Sequence, residues 1–173
     1  MPSTVRRPVL TPLPGEGDLG LVDALAQLSF AVQGTLARIA AAYDLSIVQA
    51  RLLGILRDRS PTIMELARFL QLDKSSVTGL VDRAQERGLV TRTASILDRR
   101  SVHVTLTAAG GELVDRATAA FAAEIEILVA DLNAAQRVRL SSTASLVVVT
   151  DARRRGIDIL NVESARSEGV PGS

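Results

Sequence analysis

The sequence predicts a mainly α chain of the α+β class: six helices and one two-stranded hairpin. Apolar residues recur at helical spacing through most of the 173 residues. The period switches to alternation only around residues 89–106. The core must also be aliphatic, because the chain is 47% hydrophobic but only 2% aromatic, with Phe30, Phe69, Phe121 and Tyr43 as its rings. Ala, Leu, Val and Ile suit packed helices.

Residues 1–17 hold four of the six prolines and predict a poorly ordered arm. From Asp18, residues Leu21, Leu25, Leu28, Val32, Leu36, Ile39 and Tyr43 mark one face of a long helix reaching about residue 45. A helix this long and apolar needs partners on more than one side. Ser46 is a plausible N-cap for a second helix to about Arg57, carrying Ile47, Ala50, Leu53, Ile55 and Leu56.

Ser60-Pro61-Thr62 starts a short third helix with Ile63, Leu66, Ala67 and Leu70 inward. Gln71-Leu72 makes a tight connection, and Asp73 caps a fourth helix to Arg87, with Val77, Leu80, Val81 and Ala84 inward. Gly88 stops it. Two short helices joined by a few residues, the second with a polar outer face, form a helix-turn-helix. Leu89–Ala94 and Ser101–Leu106 then alternate as an antiparallel hairpin, the wing, with Val102, Val104 and Leu106 on one face. Thr107 opens a helix to about Ala130, with Leu113, Ala117, Phe121, Ile125 and Leu128 in a stripe. Asn133 and Gln136 form a capping box for the last helix, which Gly156 breaks. Ile157, Ile159, Leu160 and Val162 make an apolar coda before a tail over 161–173 expected to be flexible.

Composition removes whole classes of function. There is no Cys, hence no disulfide, thiolate metal site, Cys nucleophile or thiol sensor, and the single His leaves no His pair for a metal. No catalytic, metal or cofactor site is expected. Twenty Lys+Arg against nineteen Asp+Glu are uninformative in total. Residues 51–105, however, hold ten basic against six acidic residues, a surplus of four on the helix-turn-helix and wing. A mean hydropathy of +0.23 is high for a soluble monomer and predicts apolar helix surface buried against a second chain. Asp23, Gln27, Gln33 and Arg38 interrupt the longest apolar stretches, and Pro8, Pro12 and Pro14 follow Arg6-Arg7 where an export signal needs an apolar core. A cytoplasmic location is expected.

The inward set of the fourth helix leaves Lys74, Ser75, Ser76, Thr78, Gly79, Asp82 and Arg83 outward. Short hydroxyl side chains let a helix sit close to base edges, and Gly79 removes a side chain that would block the approach. Ser75 serves equally well as a structural cap. Acidic groups near DNA need partners, and Asp82 and Glu86 have Arg83 and Arg87 as neighbours in sequence. His103 alternates with Val102 and Val104, so it is expected to face solvent or phosphate. Gly15-x-Gly17-x-x-Gly20 matches a dinucleotide fingerprint but follows a proline-rich arm rather than a strand, so it carries nothing.

The sequence resembles the MarR family of winged-helix transcriptional regulators. The matching residues are Glu65-Leu66-Ala67, Ser75-Ser76-Val77-Thr78, Val81-Asp82-Arg83, Gly88-Leu89-Val90-x-Arg92, Asp98-Arg99-Arg100-Ser101 and Leu106-Thr107-x-x-Gly110, in the family order. The resemblance spans roughly residues 46–114. It implies a DNA-binding domain over 46–106, flanked by dimerisation helices over 18–45 and 107–160. It further implies a homodimeric regulator, most often a repressor, on a pseudo-palindromic operator. DNA contacts would come from Lys74, Ser75, Ser76, Thr78, Gly79 and Arg83, and from the wing residues Arg92, Asp98, Arg99 and Arg100.

Asp98 would orient an arginine, and the Arg100 guanidinium suits a narrow, strongly negative minor groove. Arg92, at the wing base, either touches phosphate or braces the wing. Ile96-Leu97 depart from the polar wings of the family. The resemblance also implies a small aromatic or phenolic effector between the first, second and fifth helices, for which Phe30, Tyr43 and Arg51 are the candidates. Ordinary core or surface service competes with that role for all three. A winged-helix module for protein association, without specific DNA binding, is the alternative function.

Overall fold

The computed structural model describes residues 19–94, 102–157 and 159. The expected N-terminal arm, the wing tip and the tail beyond the coda lie outside these residues. The elements run α1 (Gly20–Ala42), α2 (Ile47–Leu56), α3 (Ile63–Leu70), α4 (Lys74–Glu86), β1 (Val90–Ala94), β2 (Val102–Leu106), α5 (Ala108–Leu128) and α6 (Ala134–Arg154).

Local chemistry sets most boundaries. Ser46 and Gln49, Thr62 and Glu65, and Asn133 and Gln136 form reciprocal capping boxes that satisfy the first amides of α2, α3 and α6. Gly88 (φ +69°) and Gly156 (φ +67°) end α4 and α6 in the left-handed region that glycine adopts without strain. Gln71 takes the same conformation (φ +58°) to turn α3 into α4.

The core is the helix-turn-helix with its neighbours. Leu52, Leu53 and Leu56 of α2, Leu66 and Leu70 of α3, and Val77, Leu80, Val81 and Ala84 of α4 are buried with Leu89, Val90 and Val104. The inward set expected for α4 is therefore the buried set. β1 and β2 pair antiparallel with Val90 opposite Leu106 and Ala94 opposite Val102. The chain before α3 joins that sheet: Val104 N–H donates to the Pro61 carbonyl (2.9 Å), and Thr62 bridges His103.

His103 is accordingly not simply outward. It is half-buried, and its Nδ1 lies 2.6 Å from the Ser60 carbonyl oxygen. Val102, expected on the packed face, is 40% exposed because it sits at the far end of the hairpin.

α1 packs along α5, with Arg38 Nη2 2.9 Å from Glu124 Oε2 linking them. Only the C-terminal part of the α1 stripe is covered: Val32, Leu36, Ile39 and Tyr43 are half-buried, whereas Leu21, Leu25 and Leu28 are exposed. α6 stands nearly clear of the other elements, with residues 141–148 all exposed. Its last turn is anchored, since Ala152 and Ile157 are buried and Arg59 donates to the Ile159 carbonyl (2.9 Å). Among the described residues, no single helix is long and apolar enough to cross a membrane.

Candidate nucleic-acid interface

α4 carries the outward residues on a rigid support, since its opposite face is fully buried. Asp73, just before the helix, organises its first turn. The Asp73 carboxylate accepts from Ser76 N–H (2.8 Å), from Ser76 Oγ (2.6 Å) and from Ser75 Oγ (2.5 Å). These bonds, that from Ser75 foremost, hold its carboxyl well below the usual carboxylate range. Ser75 is thus a buttress for the cap, and the cap itself is Asp73. Thr78 Oγ1 donates to the Lys74 carbonyl (2.8 Å).

With their hydrogens engaged on the helix, the Ser75, Ser76 and Thr78 hydroxyls keep lone pairs for the outside. Hydroxyls in that state accept from the exocyclic amines of adenine or cytosine and offer nothing to phosphate oxygens. Lys74 and Arg83, both exposed, are the cations of this face, and the Arg83 guanidinium lies alongside Gly79. A Cβ built on Gly79 would stand 3.4 Å from Arg83 Nη1, so the room above that glycine is partly used by Arg83.

The acidic partners differ from those nearest in sequence. Asp82 pairs with Arg92 across 10 positions (Oδ1 to Nη2, 2.6 Å) rather than with Arg83, and Arg92 Nη1 also reaches Gln85 Oε1 (2.7 Å). Arg92 therefore braces the wing base against α4. Arg87 turns away from Glu86 and donates to the Asp44 and Tyr43 carbonyls (2.7 and 3.1 Å). Gln85 carried no sequence signal, and Arg87 stood out only as a neighbour of the acids, because a helical glutamine and the backbone carbonyls that Arg87 serves look like any others in the chain. Asp98, Arg99 and Arg100 lie outside the described residues.

The effector candidates are not brought together within one chain. Phe30 is 64% exposed on α1. Tyr43 packs at the edge of the core, ~20 Å further along the helix axis from the usual rise per residue. Arg51 is exposed and opens onto a separate cleft of about 360 Å³, lined also by Gly54, Ile55 and Phe69. The Arg59 guanidinium stacks there over the Phe69 ring, 4.9 Å from its centroid. Among the described residues, no group of three or more His, Asp or Glu could hold a metal ion.

A three-helix unit with a short sheet at its edge, its last helix buried on one face and polar on the other, defines a winged helix-turn-helix protein. The MarR family pattern matches residues 43–101. The HTH-type transcriptional repressor NicR of Pseudomonas putida is 33% identical over 98 residues, 56% of this chain and 62% of NicR, so the match spans less than two thirds of that relative. Wild-type MarR from E. coli in its apo form superposes with a TM-score of 0.65 at 22% identity, covering 76% of this chain and 98% of that one. CouR from Rhodococcus jostii RHA1 bound to p-coumaroyl-CoA superposes with a TM-score of 0.63 at 23% identity, covering 76% and 89%. The family pattern thus covers about a third of the chain, the helix-turn-helix and wing, and the fold over three quarters of it is that of these solved regulators.

Proposed function

We propose that the protein is a sequence-specific DNA-binding transcriptional repressor that works as a homodimer on a pseudo-palindromic operator in the cytoplasm. The observation that carries this reading is α4: a helix locked by four buried residues, whose opposite face offers acceptor hydroxyls, a glycine and two cations beside a braced wing. Lys74, Ser75, Ser76, Thr78, Gly79 and Arg83 would enter the major groove. Arg100, oriented by Asp98, would enter the adjacent minor groove, with Arg99 a further DNA contact of the wing. Arg92 serves by holding the wing. NicR is itself named as a repressor, which supports the same assignment.

Exposed apolar surface supports the dimeric reading. Leu21 (75%), Val22 (79%) and Phe30 (64%) on α1 and Val138 (69%), Leu146 (68%) and Val147 (56%) on α6 face solvent in one chain. Each such side chain gains about 1.5–3 kcal/mol when fully buried, so a second copy covering both helices is strongly favoured. Residues 18–45 and 107–160 would then form the dimerisation part and 46–106 the DNA-binding part. Two α4 helices would stand roughly 34–36 Å apart, one turn of duplex. Since CouR was crystallised with p-coumaroyl-CoA, a small aromatic effector is proposed here too, with Phe30 and Tyr43 meeting Arg51 only across the assembled dimer.

The test is a mobility-shift series with the upstream DNA of its own gene at rising salt, alongside a solution mass. A dimer whose affinity falls steeply with salt is expected, because phosphate neutralisation releases counterions. A dimer that shifts no DNA at low salt would leave a protein-association module instead.

A further inference from the structure

Two helices that the function above assigns to dimerisation meet the recognition helix at one three-residue turn, Arg87–Leu89. The C-terminal end of α1 is attached through the Arg87 fork, with Nη1 donating to the Asp44 carbonyl (2.7 Å) and Nη2 to the Tyr43 carbonyl (3.1 Å). α1 has no basic residue in its own last turn, so Arg87 supplies from another element the cation that the negative end of that helix favours. The N-terminal end of α5 is attached through Thr107, whose Oγ1 donates to the Gly88 carbonyl (2.6 Å) and whose N–H donates to the Leu89 carbonyl (3.1 Å).

Gly110 then lies so close to that turn that a Cβ there would stand 2.0 Å from the Leu89 carbonyl oxygen. On the other side, Gly88 N–H donates to the Gln85 carbonyl and Leu89 N–H to the Ala84 carbonyl, both 2.9 Å, which ties the turn to α4.

We propose that Arg87 is a positioning residue for operator binding, the link through which the placement of α1 fixes the angle of α4. The proposal rests on the dimeric regulator reading. The α5 attachment holds the turn from one side only, and the helix-turn-helix, with α4 packed rigidly inside it, can still tilt about that side as a unit. The Arg87 fork reaches from the same turn to a different element, the end of α1, and attachments to two elements define an orientation. A guanidinium suits this place because its planar, fixed donors hold two successive carbonyls at once, whereas an ammonium holds a point. Both terminal nitrogens of Arg87 are engaged on the two residues that close α1, Tyr43 and Asp44, so its contribution to DNA affinity comes through geometry rather than phosphate contact.

The experiment compares wild type with Arg87→Met and Arg87→Lys in the full chain. Operator affinity is measured over a salt series. The distance distribution between spin labels at Ala41→Cys and Glu86→Cys is measured within one chain, in dimers diluted with unlabelled protein. Both label sites are exposed and the chain has no native cysteine.

Arg87→Met is expected to weaken operator binding tenfold or more with the salt slope unchanged, and to broaden the label distances. Arg87→Lys should fall between it and wild type, and carries the same comparison if Arg87→Met fails to fold. A slope reduced by about one would make Arg87 a phosphate contact and overturn the proposal. Unchanged affinity, or an unchanged distance distribution, would overturn it as well. The label distances need no DNA, so they judge Arg87 even where wild type binds no operator, an outcome that refutes the regulator reading instead.

Discussion

Arg92, in the first strand of the wing, places its Nη2 2.6 Å from Oδ1 of Asp82 on the outer face of the recognition helix. An acid on the expected DNA surface is thereby neutralised by the residue that holds the wing, and Gln85 completes the clamp at 2.7 Å. One contact serves electrostatics and geometry together.

Asp82→Asn separates these two roles because they predict opposite signs. Removing a negative charge beside DNA favours binding to any duplex, whereas loosening the wing disfavours the operator. We expect non-specific affinity to rise and operator affinity to fall, so that the specificity ratio drops. Stability should change little, since ion pairs this exposed contribute about 0–1 kcal/mol. Titrations of operator and random duplex at one salt concentration provide the check.

Gly79→Ala should stabilise the fold and weaken the function. The new methyl would meet only the end of the flexible Arg83 side chain, at 3.4 Å. Replacing a helical glycine by alanine favours the helix by up to about 1 kcal/mol. The melting temperature is expected to rise while operator affinity falls. A rise in both would show that close backbone approach at this position is not needed.

Gly110→Ala acts in the opposite sense. A Cβ 2.0 Å from the Leu89 carbonyl oxygen forces the start of α5 off the α4–β1 turn. The cost is expected near the upper end of roughly 1–3 kcal/mol for overpacking, read from chemical denaturation. Gly111→Ala, where nothing lies within 4 Å of the added methyl, is the matched control and should be neutral or stabilising.

Asp73 gives the helix a pH dependence. Its carboxyl titrates lower in the folded chain than in the unfolded one, so the fold favours the ionised form. That contribution is complete above the unfolded value of about 3.9 and is lost as pH falls through the lower folded value. The difference in melting temperature between wild type and Asp73→Ala should therefore be constant from about pH 7 to 5 and shrink below about pH 4. A difference that grows on acidification would contradict the capping geometry.

Arg100→Ala should weaken operator binding by ~1–3 kcal/mol while the dimer stays intact, the range for loss of one groove contact. A quantitative mobility shift beside a mass measurement decides it. Affinity equal to wild type would remove the wing arginine from the mechanism.

The elements were legible wherever their cause lies within four or five residues. Ser46, Asp73, Asn133 with Gln136, Gly88 and Gly156 mark helix ends because capping and left-handed turns are local events. The buried set of α4 was legible from spacing, and with it the outward set that makes the site. The partners of the site residues were not. Asp82 has arginines at 83 and 87 near it in sequence, yet it binds Arg92, because a helix directs its next residue away and brings the antiparallel strand across. His103 finds the Ser60 carbonyl 43 positions away, a pairing that exists only because the chain before α3 lies along β2. The strictly alternating pattern placed His103 outward, without a third segment at the sheet edge.

By itself, then, the sequence determined the order and kind of the elements, the faces of the helix-turn-helix and its resemblance to the MarR pattern, since periodicity, caps and short motifs are written in neighbouring residues. The tertiary structure alone decided that the Arg87 fork reaches α1, that Arg92 neutralises Asp82, and that Gly110 touches the Leu89 backbone. Those links join atoms that are near in space and distant in chain, several of them backbone carbonyls with no sequence identity. Only the folding of α1 and α5 against one turn, and of β1 against α4, brings them together.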